Sequence, residues 1–166
     1  HSKPGKHTPD VEYTFKDVGL KQNIPVLGLY PNYNNQITLI YTDLQGNERA
    51  RSNLKLQTKT LESRRLPKEI RVVKAQYDRM ELGMNLVNSP GQDETDTSIP
   101  YMIDADGEIR WILDWEKSDE HRYIGIGCGL IRMQNGHYMT GDGNHHRMVE
   151  VDMMGNTIHN WDMLER

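Results

Sequence analysis

The stretch from Tyr101 to Trp161 states one pattern twice, and this repetition limits what the chain can fold into. The first copy reads Met102-Ile-Asp104-Ala-Asp-Gly107-Glu-Ile109-Arg-Trp111. The second reads Glu150-Val-Asp152-Met-Met-Gly155-Asn-Thr-Ile158, with Trp161 just beyond. Each is a short apolar run ending in Asp, a two-residue turn element, a Gly, and an apolar pair leading to Trp. The Asp-to-Asp and Gly-to-Gly offsets agree at roughly 48 residues, within the range for one four-stranded propeller blade. Between the copies, Leu130-Ile-Arg-Met-Gln-Asn135-Gly136-His-Tyr138-Met-Thr reads as a third hairpin. Its Asn-Gly is expected to supply both positive-φ residues of a two-residue turn.

Upstream the signals are also those of strands and turns. Val11-Glu-Tyr13-Thr-Phe15 alternates, and Pro25-Val-Leu-Gly-Leu-Tyr30 is apolar on both faces, as a buried strand would be. Gln36-Ile37-Thr-Leu39-Ile-Tyr41-Thr, the turn Asp43-Leu-Gln-Gly46-Asn and the return over Glu48 to Thr58 predict a hairpin. Ile70-Arg-Val72-Val73-Lys and Met80 to Val87 read as two further short strands. Asn88-Ser-Pro90-Gly-Gln-Asp-Glu-Thr-Asp-Thr-Ser98 is polar, acidic and broken by Pro and Gly, which marks a boundary. The expected division is a β-sandwich-like domain over residues 1–88, a linker over 89–99, and the start of a propeller over 100–166. No segment shows a convincing helical period, although Trp115 to Arg122 has the length for a turn or two. The expected class is therefore all-β, a sandwich followed by an incomplete first blade.

Composition removes several functions. A net charge of −4 gives no basic face for nucleic acid. No apolar run approaches the ~20 residues of a membrane-spanning helix. The start, His1-Ser-Lys-Pro-Gly-Lys-His, is polar and is not expected to be a signal peptide, which was either never there or already removed. Cys128 is the one cysteine, so no intrachain disulfide forms and the redox compartment is not legible from it.

Few residues look chemical. Asp104-Ala-Asp106-Gly107 resembles the start of a calcium loop, but the later ligands are missing, and a β-turn selects the same residues. Gly125-Ile-Gly127-Cys-Gly129 leads into a strand-like run without the helix terminus that a nucleotide loop needs. Cys128 has no identifiable base and reads as a buried small residue. Arg64-Arg65 reads as part of a solvated loop over a phosphate or sulfate grip. His137, His145 and His146 form the one histidine concentration, with Arg147 beside it. Neighbours on a strand face opposite ways, so they are not expected to converge on a metal. His145, His146 and Arg147 remain as candidates to line a channel and meet an anionic ligand by hydrogen bonds and charge. No cofactor is expected.

Pro25-Val-Leu-Gly-Leu-Tyr30, the Gln36–Tyr41 hairpin, Pro100-Tyr-Met-Ile-Asp-Ala-Asp-Gly-Glu-Ile-Arg-Trp-Ile-Leu-Asp114 and Glu150-Val-Asp-Met-Met-Gly155 together resemble the bacterial arylsulfate sulfotransferases. The resemblance runs in order from about Val11 to the end. It implies an N-terminal sandwich followed by a six-bladed propeller, and ping-pong transfer of a sulfuryl group from a phenolic sulfate ester to a phenol through a sulfohistidine. It also implies a periplasmic location. None of the family's catalytic residues can be carried onto a position here, and the first is expected just past Arg166. The chain is thus expected to be an N-terminal portion, inactive alone. The rival expectation is a non-catalytic β interaction module that pairs with a second copy to form a homodimer.

Overall fold

The computed structural model describes residues 1–16, 19, 21–63, 65–88, 99–115, 118–122, 124, 129–143 and 145–164. Among the described residues nine strands follow one another: β1 (Asn34–Thr42), β2 (Glu48–Gln57), β3 (Asn85–Val87), β4 (Tyr101–Ile103), β5 (Ile109–Ile112), β6 (Leu130–Arg132), β7 (Tyr138–Asp142), β8 (Arg147–Val151) and β9 (Thr157–Asp162). One 3-10 turn, Tyr77–Arg79, precedes β3, and no α-helix occurs among the described residues. The protein is all-β. Its sheets are the ribbon β1-β2, the three-stranded β3-β4-β5 and the four-stranded β6-β7-β8-β9. The chain divides into two compact units, one of His1–Ser63, Glu69–Asn85 and Ile103–Trp111, the other of Arg64–Lys68, Leu86–Met102 and Ile112–Arg166.

The turns come from one local device. In Asp43–Asn47, Asp104–Glu108 and Asp152–Asn156 the Asp amide donates to the carbonyl four residues on, and the Gly amide donates back to the Asp carbonyl. One Asp oxygen also accepts two turn amides in each case, at 2.8–3.0 Å. A short carboxylate therefore satisfies donors that the bend takes out of the ladder. Gly46, Gly107 and Gly155 all adopt φ near +80, where a Cβ costs about 1–2 kcal/mol. Met133–His137 has the same backbone bonds, and there only Gly136 takes positive φ. The expected two-residue Asn-Gly turn is thus a longer loop closed by one left-handed glycine, with Asn135 supplying the side-chain acceptor for the His137 amide.

In the first unit β1 and β2 pair over their whole length, Asn35 opposite Leu56 and Ile37 opposite Leu54, with a register shift at Tyr41/Thr42. Asn35 is buried and binds the amide of Tyr30 and the carbonyls of Tyr30 and Tyr33, fixing the loop into the hairpin. The strands expected over Val11–Phe15, Pro25–Tyr30 and Ile70–Lys74 do not form, and Met80–Val87 shortens to β3. Alternation makes a segment extended, but a ladder also needs a neighbouring edge at the right spacing. Val11, Tyr13 and Val73 are exposed.

In the second unit β6 to β9 form an antiparallel meander, with Thr140 opposite Val149, Asp142 opposite Arg147 and Glu150 opposite His159. Tyr138, Thr140, Asp142, Val149 and Val151 are buried, as are Trp115, Ile124, Ile99 and Leu113. β7 alternates in burial along its length, as a half-covered strand should. In the expected Trp115–Arg122 stretch the Ser118 amide donates to the Trp115 carbonyl and the Arg122 amide to the Ser118 carbonyl, and residues 116–117 lie outside the described residues. Of the expected linker, residues 89–98 lie outside the described residues, as do Arg64, Gly125–Gly127 and Cys128.

Candidate functional site

The β7–β8 turn gathers the three candidates on one short loop. Asp142 ends β7 and Arg147 opens β8 directly opposite, so the register places the two side chains together. Asp142 has no exposed side-chain surface. Its carboxylate lies 2.8 Å from His145 Nδ1 and 2.9 Å from Arg147 Nε, and it also accepts the His145 amide at 3.4 Å. Burial of an ionised carboxylate is tolerable only with such donors. A second guanidinium nitrogen of Arg147 donates to the carbonyl of Glu120. His145 and Arg147 are therefore oriented by a single buried anion. The His145 side chain is half exposed.

His146 does not join that arrangement. It is exposed and sits at φ +52, a left-handed conformation uncommon outside glycine, while its carbonyl accepts the amide of Met163 at 2.8 Å. Asp142 is the residue that the sequence reading passed over. The sequence does carry a signal for it, a lone Asp between two glycines, but its burial depends on β7 pairing with β8. The neighbouring His121 is buried edge-on to Trp115, with Nε2 2.9 Å from Thr157 Oγ1 and Nδ1 3.2 Å from Ser118 Oγ. Burial, above the opposing pull of Glu120, lowers its pKa, and the nearby Arg147 adds to this.

His137 belongs to a different cluster. Glu150 on β8 is buried and accepts His137 Nδ1 at 2.6 Å, His159 Nδ1 at 2.8 Å and Asn135 Nδ2 at 3.0 Å. These bonds, from His137 first and then His159 and Asn135, hold its pKa down to about 2. His159 stacks on Trp161, which is 43 % exposed, whereas Trp111 and Trp115 are buried. Trp161 lies on β9, at the edge of its sheet. Among the described residues no group of three or more His, Cys, Asp or Glu is arranged to hold a metal ion. The turn reading of Asp104-Ala-Asp-Gly107 stands, because the Asp104 oxygens are taken by turn amides and by Arg110.

The β7–β8 turn thus offers an imidazole and a guanidinium preset by a buried carboxylate, donors suited to an anionic group. The fold around it is an all-β arrangement of a hairpin-built N-terminal module and a four-stranded antiparallel meander. Comparison with known families assigns both parts. The family described as "Arylsulfotransferase Ig-like domain" matches residues 1–59, and the one described as "Arylsulfotransferase (ASST)" matches residues 69–166, more than half of the chain. The protein belongs to the arylsulfotransferase family. No curated protein matches the chain.

Proposed function

We propose that this chain provides the sandwich and the first propeller blade of an enzyme that moves a sulfuryl group from a phenolic sulfate ester to a phenol, in the periplasm. The observation that carries the reading is the order of the two family matches, Ig-like and then arylsulfotransferase, along one polypeptide. The meander β6–β9 has the connectivity of a blade, four antiparallel strands joined by short turns. The proposed division remains a sandwich over 1–88, a linker over 89–99 and a blade start over 100–166. In the full-length enzyme a histidine nitrogen attacks the sulfate ester sulfur and the phenolate leaves. A phenol oxygen then attacks the sulfohistidine and frees the imidazole, its proton going to a base.

His145, His146 and Arg147 are the candidates to face the substrate channel, Arg147 held by Asp142 and Glu120 and able to offset sulfuryl charge. The 166-residue chain alone is expected to be inactive, because one blade encloses no channel around a reacting histidine. The test is release of nitrophenolate from 4-nitrophenyl sulfate with phenol as acceptor. Full-length enzyme should turn over, and the isolated chain should match the buffer blank. Phenol-dependent turnover by the isolated chain would overturn the inactivity, and an inactive full-length enzyme would overturn the reaction.

The exposure of Ile158, Trp161, Met163 and Leu164 at β9 supports a second reading, an interaction module in which that edge pairs with another copy. A dimer on a sizing column that reverts to monomer in Trp161→Arg would favour it.

A further inference from the structure

Residues 1–10 read as a ragged polar start, and the structure gives them no strand or helix, yet they are bound along their length to other parts of the first unit. Lys3 Nζ lies 2.5 Å from Glu108 and over the rings of Tyr30 and Tyr33, at 4.6 and 5.0 Å from their centroids. Lys6 Nζ lies 3.1 Å from the other oxygen of Glu108. The amides of His7 and Thr8 donate to Asp106 Oδ2 at 2.9 and 3.0 Å, the Thr8 hydroxyl donates to the same oxygen, and His7 Nδ1 lies 3.0 Å from Oδ1. The His7 ring stacks flat on Tyr77 at 3.6 Å. Beneath, Arg110 stacks on Tyr30 at 3.6 Å and is neutralised by Asp104.

The contacts between residues 3–8 and the 104–110 turn have the character of a ligand in a receptor. No backbone ladder joins the two; side chains and capped amides do. The receptor matches its occupant chemically: a tyrosine-walled, carboxylate-floored slot for one ammonium, a shared carboxylate for a second, and a carboxylate cradle for an imidazole and two amides. We propose that residues 3–8 form a detachable strap, and that the Tyr30–Tyr33–Asp106–Glu108 surface is a binding site for a basic peptide segment of the Lys-x-x-Lys-His type, filled here in cis. Part-exposed ion pairs are weak and screened by salt, so the strap opens without unfolding the hairpin beneath it.

The test uses the full chain and hydrogen exchange. In the native protein the His7 and Thr8 amides should be protected, and protection should fall roughly tenfold between low and 1 M salt while the β1–β2 amides hold theirs. The double substitution Lys3→Glu/Lys6→Glu should lose that protection, and adding Glu108→Lys should restore it. A synthetic peptide of residues 1–10 should bind the open double variant and not the native chain. Protection of His7 and Thr8 that is indifferent to salt and to charge reversal would overturn the strap. Loss of protection with no peptide binding would overturn the receptor site. If the double variant fails to fold, Asp106→Asn with the same exchange readout decides between the outcomes. No arm measures sulfuryl transfer, so the proposal stands or falls apart from the enzymatic reading.

Discussion

The turns at Asp104 and Asp152 are copies of one local device in very different surroundings. Both close with the same backbone bonds, and in both an Asp oxygen accepts two turn amides. At Asp152 the remaining oxygen takes the exposed amide of Asn156 at 2.8 Å. At Asp104 it takes the guanidinium of Arg110 at 2.9 Å, with side-chain exposures of 3 % for Arg110 and 0 % for Asp104. Arg110 also donates twice to the carbonyl of Gly28 and covers the Tyr30 ring. One signature therefore yields a surface turn in one place and the ionic centre of a unit in the other. Shape is written locally, while the energy depends on what the second carboxylate oxygen meets.

Substitutions that treat the two turns alike should have unequal effects. Asp104→Ala strands Arg110 as a buried unpaired charge and is expected to cost about 3–5 kcal/mol, read as a drop in the urea midpoint. A loss no larger than that of Asp152→Ala would break the comparison. Gly107→Ala comes next. Its φ of +78 costs about 1–2 kcal/mol, and the new Cβ would stand 2.9 Å from Val72 Cγ2. Gly46→Ala, with φ +85 and nothing within 4 Å, should show the conformational cost alone, so thermal melts of the two variants separate packing from backbone. Asp152→Ala should cost only about 1 kcal/mol, the net worth of exposed turn bonds, and Asp152→Asn should recover part of it.

A further effect lies in acid and concerns the carboxylates beside each turn. Burial raises the pKa of Asp106, but the bonds from His7 and Thr8 outweigh it and bring it to about 2 from 3.8. Glu150 falls to about 2 from 4.5. For a lowered carboxylate the stabilisation is complete above the unfolded value and is lost as pH falls toward the folded one. Stability should therefore decline from about pH 4.5 down to about 2. Glu150→Gln should flatten that decline in amide exchange of β7–β9, and Asp106→Asn should flatten it between 3.8 and about 2 in residues 103–111. Unchanged slopes in both variants would remove these carboxylates from the acid response.

Much of this was legible in the residues. The Asp-x-x-Gly turns, the β1–β2 hairpin and the β6–β9 strands follow from short-range chemistry, and the ordered blocks on both sides of residues 89–98 point to the family. The candidates His145 and Arg147 were also visible, but Asp142, the anion that orients them, was not, because its burial arises from cross-strand pairing with β8. Arg110 entered only as part of a repeated block, and Lys3, Lys6 and His7 read as part of a ragged polar start. The role of each was hidden for one reason: its partner lies many residues away, at Gly28 for Arg110 and at Asp106 and Glu108 for the strap. The opposite error placed strands at Val11–Phe15 and Ile70–Lys74, where alternation lacks an edge to pair with.

The sequence by itself determined where the chain turns, because an Asp carboxylate and a left-handed glycine settle a bend within five residues. It also determined the all-β class, since no segment sustains a helical period. Only the tertiary structure decided which of these equivalent turns carries a buried ion pair, which histidines share a carboxylate, and which polar segment is bound down. Those outcomes depend on desolvation and on charges brought together across long loops, and neither is a property of neighbouring residues.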